Sequence, residues 1–201
     1  MKSFMSEDGQ AQEREMYLNL HTAVAPYSFV NGPGLRAVIH VQGCSLGCKG
    51  CFNPASHDQG SGIRISVGDI CASIPEQAEG VTISGGEPFQ QPEGLLALVR
   101  LLRSQDFSIL VFSGYTIEEI ARQPIGPDIL ASIDVLIDGR FEANNLASSG
   151  LRGSNNQVIH LLTDRYRADE LLNRQTELTF LEDGTATMTG FPSAPLRRSL
   201  P

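Results

Sequence analysis

Short apolar runs alternate with amphipathic stretches over most of the chain. Residues 35–41 (LRAVIHV) form a β-rich run followed by Gly43, which predicts a strand feeding a loop. Residues 66–74 carry apolar positions at helical spacing. Residues 80–84 (GVTIS) read as a short buried strand ending at Gly85-Gly86, and residues 92–102 (PEGLLALVRLL) as a helix with proline at its start. Residues 108–113 (SILVFS) predict a strand ending at Gly114. Two short helices follow at 117–122 and 127–132, then a strand at 133–137 (IDVLI) ending at Asp138-Gly139. Residues 157–162 (QVIHLL) close the series. Strands alternating with helices imply an α/β fold of parallel strands and right-handed crossovers. Their unbroken apolar character implies a sheet covered on both faces. The loops of unusual composition all follow a strand's end, and ligands bind at that edge of parallel α/β folds. Four loops on one edge describe a single site.

The two ends read differently. Residues 1–15 (MKSFMSEDGQAQERE) are polar and aperiodic, which predicts a disordered tail. Met16 is a candidate natural start beside Met1. Beyond Thr163, residues 166–174 predict a helix. Residues 177–181 and 185–189 alternate around Glu182-Asp183-Gly184, a β-hairpin signal. An irregular tail follows from Phe191. The expected division is a tail (1–15), a core domain (16–163) and a C-terminal extension (164–201).

Composition narrows the function classes. The chain has 201 residues, 41% of them hydrophobic, enough to bury a core without disulfide staples. No apolar run approaches the roughly 20 residues of a membrane span, and the charged opening lacks the order of a signal peptide. A net charge of −8 argues against binding nucleic acid by neutralising phosphates. A cytoplasmic protein is expected, with the acidic excess on a solvated surface. Three of the four cysteines fall within eight residues. In a reducing compartment such a cluster reads as metal-binding or catalytic.

That cluster is Cys44-x3-Cys48-x2-Cys51. A loop can wrap three thiolates around one metal centre, and Gly43, Gly47 and Gly50 let backbone N–H groups approach sulfur. Three thiolates leave one iron of a 4Fe–4S cluster open to an outside ligand. Structural zinc is the competing reading, because it wants four protein ligands and His57 would complete a Cys3His set. A second motif, Ser84-Gly85-Gly86-Glu87-Pro88, ends a buried strand. Its glycines permit close approach of a ligand, and Glu87 offers a carboxylate to an ammonium group; a Gly-Gly-Pro turn is the plain alternative.

The two motifs together resemble the radical S-adenosylmethionine superfamily. Asn31-Gly32-Pro33-Gly34, Gln42-Gly43-Cys44 and Cys51-Phe52-Asn53-Pro54 are similar to the activating enzymes of glycyl-radical proteins, those of pyruvate formate-lyase and of anaerobic ribonucleoside-triphosphate reductase among them. Ser113-Gly114-Tyr115, 134–141 (DVLIDGRF) and 152–157 (RGSNNQ) point the same way. The resemblance spans Met16 to Thr163. It implies a partial parallel β/α barrel, with Cys44, Cys48 and Cys51 ligating a 4Fe–4S cluster and S-adenosylmethionine on the open iron. Gly85, Gly86 and Glu87 would meet the amino group of that cofactor, with Ser84 and Ser113 in the same site. Arg140 would face its carboxylate, and Asp138 would orient Arg140 or the ribose. The implied reaction is reductive cleavage to methionine and a 5′-deoxyadenosyl radical, which takes hydrogen from a backbone glycine of a partner. A flavodoxin- or ferredoxin-type electron donor is implied as well. The segments 31–34 and 152–157 are candidates for flanking the opening to the partner. Two departures stand out: Gly50 occupies a position often aromatic in the superfamily, and residues 164–201 extend beyond the resembling activases, which leaves room for a different target.

Other suggestive residues have plainer readings. Cys71 fits a helical apolar pattern and reads as core. His40 and His160 sit in strand patterns and read as packed or hydrogen-bonded. His21 has no assignable role. Tyr115 reads either as an adenine-stacking ring or as core.

Overall fold

The computed structural model of the chain describes residues 7–172, 175–180 and 186–192. The central strands are β3 (Arg36–Val41), β5 (Gly80–Gly85), β6 (Ser108–Phe112) and β7 (Val135–Asp138), adjacent in that order and parallel. At one edge, β1 (Tyr17–Leu20) pairs antiparallel with β3 and with β4 (Ile63–Ser66), and β2 (Ala25–Ser28) also pairs antiparallel with β3. At the other edge, β8 (Val158–Leu161) runs antiparallel to β7. The expectation of a further parallel strand at 157–162 is corrected here. A parallel return needs a crossover, usually a helix, and the link between β7 and β8 holds none.

Alternation along the strands separates two cores. Ala37, Ile39, Val41, Val81, Ile83, Ile109, Val111 and Leu136 face the helices. Those helices are α2 (Val67–Ala72), α3 (Pro92–Ser104), α4 (Ile117–Ala121) and α5 (Gly126–Leu130). α3 carries the layer: Leu95, Leu98, Leu101 and Leu102 are fully buried, each contributing about 1.5–3 kcal/mol of apolar burial. Cys71 belongs to this core. On the opposite face, Leu110, Val135 and Ile137 meet Leu151 and Leu171, with Phe112, Ile159, Tyr166 and Phe191 against them. The C-terminal segment therefore covers the sheet face that the helices leave open.

Arg36 lies at the amino end of β3, fully buried. Its guanidinium donates to Thr82 Oγ1 (2.8 Å), Ser108 Oγ (3.0 Å), the Tyr166 hydroxyl (3.0 Å) and the carbonyls of Pro33, Val81 and Ser108. This network ties the extension to the strand starts.

Two further expectations change. Residues Glu7–Arg14 form a helix, α1, where a disordered tail is expected. No apolar stripe marks it; tertiary contacts hold it, with Glu13 buried and 3.6 Å from Arg100. Where a helix is expected at 166–174, the described residues 166–172 hold one 3-10 turn, Ala168–Leu171, and 173–174 lie outside the described residues. The strands β9 (Thr176–Phe180) and β10 (Ala186–Gly190) pair antiparallel, and the turn residues Glu182, Asp183 and Gly184 lie outside the described residues. The described part of 1–15 is thus helical, and residues 1–6 lie outside the described residues, as do 193–201. No helix among the described residues is long and apolar enough to cross a membrane.

Candidate iron–sulfur and cofactor site

The carboxyl ends of β3, β5, β6 and β7 bring the predicted loops together. The cysteine loop leaves β3 at Val41 and is fixed by its own backbone: Gly43 N–H donates to Ser56 O (2.8 Å) and Cys44 N–H to His57 O (3.0 Å). Gln42 holds the returning segment. Its side-chain amide donates to Asp58 O (2.7 Å), Ala55 O (3.2 Å) and Ser61 Oγ (2.9 Å), and its oxygen meets His21 Nδ1 at 2.6 Å. Cys44, Cys48 and Cys51 are all partly exposed.

The three thiols share an electrostatic neighbourhood. Burial raises the pKa of Cys44 and of Cys51. A backbone N–H lowers each, from Leu46 and Asn53 respectively, and neighbouring cysteines raise them again. A cationic centre beside Cys44 and Cys51 would offset the burial that raises them, because it stabilises thiolate. Among the described residues, no three His, Cys, Asp or Glu side chains stand as a ready single-ion site, and His57 does not join the thiols in one. Thiols are the donor type that an iron–sulfur cluster takes, and three of them stand on this one loop.

The Ser84–Glu87 turn is sewn to this loop. Gly86 N–H donates to Val41 O (2.7 Å) and Glu87 N–H to Gly43 O (2.9 Å). The glycines are needed for that contact. A Cβ on Gly86 would lie 2.3 Å from Gly43 O, and one on Gly85, at φ +105°, would lie 2.6 Å from the Val41 backbone. The space a Cβ would take is filled by β3 at Gly85 and by the cysteine loop and Ser56 O at Gly86. Ser84 pairs in register with His40, and both are partly buried.

Glu87 is 1% exposed and accepts three hydrogen bonds. They come from Phe89 N–H (3.0 Å) and Ser113 Oγ–H (2.9 Å) to Oε1 and from Gly114 N–H (2.7 Å) to Oε2. Burial pushes its pKa up to about 7, against the lowering effect of those donors and of Arg140. Ser113 thereby becomes a link between the ends of β5 and β6.

Asp138 is buried, and its Oδ2 accepts from Ile117 N–H (2.6 Å) at the start of α4 and lies 3.0 Å from His160 Nε2. Arg140 turns elsewhere: it pairs with Glu119, donates to Gly114 O (3.2 Å) and sits 5.4 Å over the Tyr115 ring. Its pKa is raised, chiefly by the Glu119 hydrogen bond, and Cys48 adds to the effect. Glu87 and Arg140 thus meet at Gly114 beside the thiol loop, the one accepting from its N–H and the other donating to its carbonyl.

The candidate flanking segments separate. Residues 31–34 precede β3 while the cysteines follow it, about 17 Å away along a six-residue strand. Asn31 is buried, donating to Ser28 Oγ (2.8 Å) and Thr189 Oγ1 (2.9 Å), so this loop faces the extension and not the thiols. Residues 152–157 do border the cysteine loop, through Gly153 against Phe52.

Sequence reasoning missed Gln90. Its amide donates to Ser45 Oγ (2.8 Å) and the Tyr115 hydroxyl (3.0 Å), while its oxygen accepts from Ser45 N–H (3.1 Å). It latches the cysteine loop to the end of β6. The available signal was its place just after the Glu87-Pro88 turn.

The 4Fe-4S single cluster domain family matches residues 30–160. The anaerobic ribonucleoside-triphosphate reductase-activating protein of Vibrio cholerae is 36% identical over 151 residues, covering 69% of this chain and 95% of that protein. The protein of the same name from Enterobacteria phage T4 is 32% identical over 149 residues, 70% of this chain and 93% of that one. Among solved structures, QueE from Escherichia coli superposes on 56% of this chain and 59% of its own, at 22% identity and a TM-score of 0.42.

Proposed function

Because the chain belongs to the 4Fe-4S single cluster domain family and to the anaerobic ribonucleoside-triphosphate reductase-activating proteins, we propose that it activates a glycyl-radical reductase by radical S-adenosylmethionine chemistry. The observation that carries the reading is the sewing of the Ser84–Glu87 turn onto the cysteine loop, which makes one site of the two motifs. When bound, the cluster and S-adenosylmethionine supply an electron transfer that splits the sulfonium into methionine and a 5′-deoxyadenosyl radical.

The chain's part is to hold and to exclude. Cys44, Cys48 and Cys51 hold the cluster. The Ser84–Gly86 carbonyls and Glu87 receive the cofactor's amino group, and Arg140 its carboxylate. Ser113 keeps Glu87 aimed, and Asp138 anchors the start of α4 beside Arg140. The sheet acts as a partial barrel, open where a large partner must present a backbone glycine, with residues 16–163 as its core. Residues 164–201 form a C-terminal extension with a β-hairpin; of its described residues, Tyr166, Leu171 and Phe191 pack on the sheet face opposite the helices. A flavodoxin- or ferredoxin-type protein would deliver the electron.

The test is anaerobic. Protein reconstituted with iron and sulfide and then reduced is expected to release 5′-deoxyadenosine from S-adenosylmethionine, and to give a glycyl-radical resonance once an anaerobic reductase is added. Cys44→Ala abolishes both. Cofactor cleavage without a reductase radical would keep the chemistry and reassign the target; no cleavage, with Cys44→Ala indistinguishable from the parent, would end the reading.

A further inference from the structure

We propose that Gln157 is a positioning residue that sets Arg140 and the cysteine loop together. The inference rests on the site reading above and adds to it a residue with no place in that chemistry so far. Gln157 precedes β8 and is 9% exposed. Its side-chain amide does three things at once. Nε2 donates to Gly139 O (2.9 Å), and Oε1 accepts from Gly153 N–H (2.8 Å) and Ser154 N–H (3.1 Å). One planar group thus ties the two ends of the single link between β7 and β8 to each other.

The neighbours extend the grip. Asn156 Nδ2 donates to Arg140 O (2.7 Å), and Glu142 N–H donates to Ser154 Oγ (3.1 Å). The main chain at 139, 140 and 142 is therefore held from the 154–157 segment, while the Arg140 guanidinium is held from the other side by Glu119 and Gly114 O. On the far side of the bridge, Gly153 packs between two rings: a Cβ there would lie 2.9 Å from both Phe141 and Phe52. Those rings meet at 4.6 Å. Phe52 adjoins Cys51. The route from Gln157 to a cysteine is one hydrogen bond, one glycine and one aromatic contact, and the route to Arg140 is one hydrogen bond and one peptide.

A residue that orients ligand-holding groups affects affinity more than the chemical step, and second-tier partners of this kind are typically worth about 10- to 100-fold. Two readouts test the assignment. The first needs no cofactor: hydrogen–deuterium exchange of the iron-free chain. Gln157→Ala is expected to speed exchange at 139–142 and, remotely, at 50–53. Gln157→Glu keeps the acceptor for Gly153 and Ser154 but turns an oxygen toward Gly139 O, so it is expected to loosen 139–142 while leaving 50–53 protected. The second readout is kinetic. In the reconstituted protein, Gln157→Ala is expected to raise KM for S-adenosylmethionine about tenfold or more and to change kcat less than threefold. A lowered melting temperature with exchange at 50–53 and KM unchanged would overturn the proposal and leave Gln157 a stabilising residue only. If the parent protein cleaves no S-adenosylmethionine, the site reading fails, while the exchange pattern still decides for or against the bridge.

Discussion

Replacing Glu87 by glutamine changes one atom at a buried junction and has two calculable effects. The first is a lost acceptor. Glu87 Oε2 faces Gly114 N–H at 2.7 Å and Oε1 serves Phe89 N–H and Ser113 Oγ–H. Glutamine keeps one oxygen, which takes the Phe89 and Ser113 donors, and sets an NH2 against Gly114 N–H. A buried N–H left without an acceptor costs about 1–3 kcal/mol. The second effect is pH dependence. The folded-state pKa is pushed from 4.5 up to about 7 by burial. Below 4.5 the carboxyl is protonated in both states and contributes no slope. Between 4.5 and about 7 the unfolded chain ionises while the folded one keeps its proton, so stability falls as pH rises. Above about 7 both states are ionised and the penalty is complete, on the order of 3 kcal/mol at about 1.4 kcal/mol per unit. Glutamine does not titrate. The stability of the parent minus that of Glu87→Gln should therefore be positive near pH 5 and drop by roughly 3 kcal/mol toward pH 8. Urea unfolding of both iron-free proteins under reductant, at half-unit pH steps, measures this, and subtraction cancels every other titrating group. A difference that stays flat across pH 5–8 would refute the buried, proton-retaining carboxyl.

Gly86→Ala puts a methyl 2.3 Å from Gly43 O, backbone against backbone, so the cysteine loop must move. The expected cost is about 1–3 kcal/mol of stability, with less iron retained per chain after desalting; full retention would refute the sewn junction. Iodoacetamide on the folded iron-free chain near pH 8 should modify Cys44, Cys48 and Cys51 well before Cys71. Cys71 is buried, and burial pushes its thiol up to about 11. Peptide mass spectrometry reads the order, and early labelling of Cys71 would remove it from the core.

The parallel centre of the sheet was legible because β3, β5, β6 and β7 are continuous apolar runs, each ending in a loop of unusual composition. The edges were not. β1 (YLNL) and β4 (IRIS) mix polar and apolar positions over four residues each, too few for a period to stand out. The reversal at β8 was readable in principle, since the Asn- and Ser-rich stretch before it carries no helical pattern. At the site, the thiols, the glycine turn and Arg140 were legible as residue types at a spacing. Their partners were less so. Asp138 reaches the first amide of α4 and not Arg140, and Glu87 spends three acceptor positions on the protein. Gln42 and Gln157 stand in motifs the sequence offers and Gln90 follows the Glu87-Pro88 turn, but which distant carbonyls and amides each one reaches is decided by the fold.

The two hydrogen bonds from the Gly86 and Glu87 amides to Val41 and Gly43 have a thermodynamic corollary. Metal loading that orders the cysteine loop would also order the Ser84–Glu87 turn, proposed above to receive the cofactor's amino group, so the two binding equilibria would be linked and the linkage reciprocal. Saturating S-adenosylmethionine should raise the equilibrium affinity for iron by the same factor that iron adds to cofactor binding. Iron supply and cofactor affinity are then one variable for this protein, and a cell short of iron would meet an enzyme that also holds its cofactor weakly.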